Sequence, residues 1–126
     1  MPEIQIIPED CGNAPKKLFL KNLYVAIAEG DQNHISKSFN DNVTWNIIGG
    51  KTVTGKKAFL EKLNTHIPSP ISKLIVHDII THGNEAAIHG EWHGGEHIAL
   101  AFCDVCIFKS GGADTVKAIH TYAIAL

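Results

Sequence analysis

From Lys73 to Leu126 the chain reads as one strand after another, which constrains the fold more than any other part of the sequence. Lys73–Thr81 (KLIVHDIIT) is rich in β-branched residues and ends at His82-Gly83-Asn84, a turn signal. Glu85–His93 alternates, with Ala87, His89, Glu91 and His93 on one face and Ala86, Ile88, Gly90 and Trp92 on the other. Gly94-Gly95 closes that strand into a hairpin. Glu96–Phe108 is a long apolar run, and Ser110-Gly111-Gly112 turns it into Thr115–Ala125. The result is an antiparallel meander, one face against a core and the other partly wet.

The remainder must supply what covers that face. Met1–Pro15 carries three prolines and reads as a flexible arm over residues 1–14, although Ile4, Ile6 and Ile7 give it apolar side chains with which to dock. A helix is expected over Pro15–Glu29, with Asn13 or Ala14 at its cap, Pro15 in its first turn and Gly30 ending it. Leu20, Leu23, Tyr24, Ile27 and Ala28 fall at helical spacing on one stripe. Asp31 is placed to cap a short second helix, Gln32–Phe39. Asn40-Asp41-Asn42 reads as a turn, Val43–Ile48 as a strand stopped by Gly49-Gly50, and Lys51–Thr54 as a short strand. A third helix, Lys56–Asn64, follows, and Pro68 and Pro70 break the chain before the meander. Helices first and then one twisted sheet define an α+β domain over residues 15–126, a curved, mostly antiparallel sheet closed by helices into a cone. Such a cone holds either packed side chains or a ligand.

Composition excludes several functions. A net charge of −2 offers no basic stripe for nucleic acid. The apolar runs are far shorter than the ~20 residues of a membrane span. Met1–Asp10 is charged and interrupted by proline, unlike a signal peptide, so the cytoplasm is the expected compartment. Cys103 and Cys106 form a C-x-x-C, but on a strand their side chains point to opposite faces. With Cys11 they read as small hydrophobes, not as a redox or zinc pair.

Asp104 is the candidate for chemistry. It interrupts the apolar run Ile98–Cys103, which puts its carboxylate in a low-dielectric wall where ionisation costs free energy unless a partner compensates. Groups perturbed in this way are functional candidates. The alternative is a structural carboxylate bonded to the helix layer or facing an interface. Alternation puts Phe102, Asp104, Cys106 and Phe108 on one face.

The order of these pieces resembles the nuclear transport factor 2-like superfamily, including SnoaL-like polyketide cyclases and ketosteroid isomerases. The matching residues are Ala28-Glu29-Gly30-Asp31, Phe39 to Trp45, Gly49-Gly50, Thr54 to Phe59, and Asp104 to Phe108, within Lys16–Tyr122. The resemblance implies a cone-shaped α+β domain, a cystatin-like roll, often dimeric through its sheet and with a pocket inside the cone. In the isomerases a carboxylic acid on the penultimate strand, kept neutral by an apolar site, helps to form the oxyanion hole. Asp104 matches that place. The isomerase's general base matches Ile47, and its first-helix tyrosine matches Leu23, with Tyr24 expected to face elsewhere. A steroid-isomerase reaction is therefore not expected.

By the same analogy Trp92 lines the cone with Asp104, and Trp45 and Phe102 join them, under Phe59 and Leu63 as a lid. Tyr24 completes the expected ligand-binding set. Plain core packing is the competing role for the two tryptophans. Acid–base work needs a partner, and His66, His89 and His120 are the candidates. His89, Glu91 and His93 make an H-x-E-x-H, but residues four apart on a strand are too distant to share an ion easily, so no metal is expected. The face that His120 shares with Tyr122 is left open. The expected function is a small-molecule pocket, acting without a cofactor as an isomerase, cyclase or dehydratase on a small apolar carbonyl or cyclic compound. The alternative is a non-catalytic binding or association domain. The expected partners are that ligand and a second copy through the sheet, with neither nucleic acid nor membrane.

Overall fold

The computed structural model describes residues 2–7, 14–109 and 115–126. The first strand, β1 (Glu3–Ile6), lies within the expected arm and pairs in parallel with the later strand 71–82. Ile4 and Ile6 pack on the core, so the segment docks through its apolar side chains. Ile7 continues the pairing through its N–H to the Val76 carbonyl, but its side chain is half exposed and not part of the docked set. Residues 8–13, with Cys11 and the cap at Asn13, lie outside the described residues, as does the turn at Ser110-Gly111-Gly112.

Helix α1 (Pro15–Glu29) has Pro at its first position and ends at Gly30, whose φ of 74° is left-handed and whose N–H bonds back to the Ile27 carbonyl. Helix α2 (Gln32–Lys37) starts where the Asp31 carboxylate accepts the His34 N–H at 3.1 Å. It stops before Phe39, because strand β2 (Phe39–Ile47) begins there. The expected turn at Asn40-Asp41-Asn42 is absorbed into this strand as an irregularity in its pairing, with the Asn42 N–H bonded to the Asn40 side chain. Strand β3 (Thr52–Thr54) hairpins onto β2, and helix α3 (Lys56–His66) runs one turn-half further than Asn64.

The meander follows as β4 (Ile71–His82), β5 (Glu85–Gly94), β6 (Ala99–Phe108) and β7 (Val116–Ala125). β6 starts three residues later than expected, because Glu96 and His97 adopt left-handed backbone in the preceding turn. The sheet order is β1-β4-β5-β6-β7-β2-β3. Four neighbouring pairs are antiparallel and two, β1 with β4 and β2 with β7, are parallel. The mostly antiparallel sheet is thus mixed at both flanks.

A register shift between Val76 and Asp78 bends β4 over β5. Gly90 lies beneath it, and a Cβ there would sit 1.9 Å from the Ile75 carbonyl oxygen. Only glycine admits that approach. α1 packs over β4 and β5, and α3 over β2 and β3. Between helices and sheet lies one core including Leu20, Leu23, Phe59, Leu74, Ile88 and Phe108, each essentially without solvent exposure. Burying each such side chain contributes about 1.5–3 kcal/mol. The opposite face of the sheet has no covering layer among the described residues.

Candidate functional site

Strict alternation along β6 sends Phe102, Asp104, Cys106 and Phe108 inward, and all four are buried. Asp104 is therefore a carboxylate inside the core. Its Oδ2 accepts a hydrogen bond from the Tyr24 hydroxyl at 2.5 Å, while its Oδ1 has no hydrogen-bond partner. Across the ladder it faces Ile88 on β5 and Thr121 on β7.

Tyr24 corrects the expectation that it faces elsewhere. It belongs to the same α1 stripe as Leu20 and Leu23, and all three are buried. Residues 23 and 24 both face the sheet because the covered stripe spans more than one row, so the hydroxyl reaches Asp104 although Leu23 holds the matching position. Ile47 is partly buried against the core, so the strand that supplies a general base in the isomerases offers none at that place.

The other residues around the carboxylate are rings. Tyr24, Trp92 and Phe102 stack on one another with centroids 5.6–6.0 Å apart. Trp45 and Phe59 meet at 5.0 Å, and the His66 ring stands edge-on to Trp45, also at 5.0 Å. The Trp45 indole donates to the Thr121 hydroxyl at 2.7 Å, which satisfies its one polar atom. Together with Ile27, Leu63, Ile67 and Ile119 these side chains line a cavity. The cavity measures about 20 Å³, room for about one water molecule.

Electrostatics follow from burial. Desolvation pushes the Asp104 pKa up to about 6, against the opposing pull of the Tyr24 and Thr121 hydroxyls. Burial first, and then the Asp104 charge, raises Tyr24 well above the usual tyrosine range. Burial, helped by Lys62, lowers His66, which favours its neutral form. The Cys106 thiol is likewise raised by burial, so it is held as a thiol.

Of the residues singled out in the sequence, Asp104, His66, Trp45, Trp92, Phe59, Leu63, Phe102 and Tyr24 all line this one cavity. His89 and His120 do not. Alternation places both on the opposite face of the sheet, where His89 is exposed and stacks on His77 with centroids 5.8 Å apart, and His120 lies 3.5 Å from the Asn46 side chain. Ile119 and Thr121 are the β7 residues that face the cavity. The sequence reading missed both, although alternation from either face would have named them.

The H-x-E-x-H also lies on the outer face. Glu91 accepts from His77 at 2.8 Å and from His93 at 2.9 Å, and these bonds hold its carboxyl below the usual range. Among the described residues no group of three or more His, Cys, Asp or Glu is arranged to hold a metal ion. Among the described residues no helix is long and apolar enough to cross a membrane.

A helix-covered curved sheet around a buried carboxylate and a ring-lined cavity defines an α+β cone of the nuclear transport factor 2-like class. The chain belongs to the family of SnoaL-like domains, which matches residues 20–122. No curated protein matches it significantly. Among solved structures, a nuclear transport factor 2-like protein of unknown function from Cytophaga hutchinsonii is 25% identical, covers 86% of this chain and 99% of its own, and superposes with a TM-score of 0.67. A candidate ketosteroid isomerase from Kribbella flavida is 14% identical over 87% of this chain and 78% of its own, with a TM-score of 0.74. A candidate SnoaL-like polyketide cyclase from Shewanella denitrificans is 12% identical over 89% and 92%, with a TM-score of 0.72. These likenesses show the fold.

Proposed function

We propose that the protein is a cofactor-independent acid–base enzyme of the isomerase, cyclase or dehydratase kind, acting on a small, largely apolar carbonyl or cyclic compound. The observation that carries this reading is the Asp104 carboxyl: buried, oriented through Oδ2 by Tyr24, and with Oδ1 unbonded in a cavity of aromatic rings. A substrate between the Tyr24–Trp92–Phe102 stack and the Trp45–Phe59 wall presents its carbonyl, or the C–H beside it, to Oδ1. The ionised carboxylate takes a proton there, and the acid form donates to a carbonyl or enolate oxygen. A pKa of about 6 keeps both forms populated near neutrality, where proton exchange is most efficient. Neutral His66, lining the same cavity, supplies the second acid–base group.

The cavity as it stands is too small for such a substrate. Phe59 and Leu63 reach it from α3, a helix with one fully buried side chain, Phe59. Displacement of α3 is the least costly way to enlarge it, with these two residues as a lid.

The test is hydrogen–deuterium exchange at the α-carbon of simple cyclic ketones, followed by proton NMR. The wild-type protein should exchange the α-protons at least about 100-fold faster than Asp104→Asn. Equal rates for the two proteins across the ketones would remove the catalytic reading.

A second reading, a non-catalytic association domain, draws on the outer face of the sheet. Ile80, Tyr122, Ile124 and Leu126 are exposed there, each by half or more of its surface. In this reading two copies pair face to face through the sheet, and the cone serves as packing or as a ligand store.

A further inference from the structure

The residues that close the Asp104 cavity have a second side. Ile27, Leu63 and Ile67 line the cavity from within and also line an open cleft of about 340 Å³ between the end of α1 and the segment 67–71 that leads into β4. Pockets that hold small organic ligands measure roughly 300–1,000 Å³. The cleft falls in that range and the inner cavity does not, so a ligand that touches Asp104 and fills a site of ordinary size extends through these three side chains into the cleft.

The cleft differs in chemistry from the cavity behind it. Its polar wall is Gln32, Asn64 and Ser69, and its one charged lining residue among those described is the exposed carboxylate of Glu29. No Lys or Arg among the described residues lines it. α1 ends at the cleft, at Gly30, and α2 begins there, at Gln32, so their opposed dipole ends offset and the Glu29 carboxylate sets the sign. That charge favours hydrogen-bond donors and cations and opposes anions.

We propose that the ligand is elongated: a flat, carbonyl-bearing apolar head in the cavity, and a tail in the cleft that is neutral and hydrogen-bonding or cationic, never anionic. This inference rests on the reading of the Asp104 cavity as a carbonyl site. It names the substrate class more narrowly, since it excludes free carboxylic acids and compounds carried on phosphate-bearing arms.

The experiment uses acetophenone and three acetophenones bearing a short para chain ended by hydroxyl, ammonium or carboxylate. Binding is read from quenching of the protein's two tryptophans, Trp45 and Trp92, both of which line the cavity. At low ionic strength the ammonium-tailed ketone should bind about tenfold tighter than the carboxylate-tailed one, with the hydroxyl-tailed one between them. Glu29→Gln should bring that ratio close to one, since Glu29 is the charge that sets it. Acetophenone that binds while the carboxylate tail does as well as the ammonium tail would overturn the inference and leave the carbonyl site standing. Absence of quenching by acetophenone itself would overturn the carbonyl site and the inference with it.

Discussion

Asp104 carries an energetic signature that separates it from a structural carboxylate. Its folded pKa of about 6 lies above the ordinary value of 3.8, so the folded protein binds the proton more tightly than the unfolded chain. The protonated carboxyl's contribution to stability is therefore fully present below pH 3.8 and is lost as the pH rises to about 6. Above that both states are ionised and the penalty is constant. Asp104→Asn removes the titration. Relative to wild type, the variant should gain about 2–3 kcal/mol between about pH 4 and pH 7, measured by urea melts at several pH values. A difference between the two proteins that stays flat with pH would mean that the carboxylate is as well solvated or paired as in the unfolded chain. The residue was legible in the sequence because a charge in an apolar strand has few explanations. Its partner was half legible. The stripe containing Tyr24 was readable from spacing, but matching the tyrosine to Leu23 by analogy hid that residue 24 faces the sheet as well.

At the level of elements, sequence period did most of the work, and it failed where the backbone departs from period. The expected α1 has the observed bounds, since proline at its start and glycine at its end are local signals. β1 had no such signal: four residues become a strand only because β4 offers an edge far along the chain. The irregularities in β2 and β4 were likewise invisible, being set by which strands meet and not by what each prefers alone. Gly90 reports the second of these. Gly90→Ala should lose about 3 kcal/mol or more, or fail to yield soluble protein, because the new methyl meets backbone that cannot turn aside. A urea midpoint within the error of wild type would show that the β4 irregularity shifts at little cost.

At the scale of the whole molecule, the uncovered outer face makes association the expected state. Small side chains on β6 (Ala101, Cys103, Val105) lie between the histidines of β5 and the Tyr122–Ile124 row of β7. Light scattering at micromolar concentration should give a dimer for the wild type, and Tyr122→Glu with Ile124→Glu should give a folded monomer. A wild-type monomer would remove the association reading. The strand order has a kinetic meaning as well. β4 to β7 join neighbours in sequence, whereas β2 finds β7 only across most of the chain, as Trp45 beside Ile119 shows. Contacts between distant segments form late, because closing the long intervening loop costs entropy before any contact rewards it. The cavity straddles that divide, with Tyr24, Trp45 and His66 on one side and Asp104 and Thr121 on the other. It should thus be the last part of the protein to assemble and the first to open. Amides of β2 and α3 should exchange through a partial opening that leaves β5 and β6 protected, and uniform protection across all of them would contradict this order. A molecule seated at Asp104 would then act as a clasp between two halves that fold at different times.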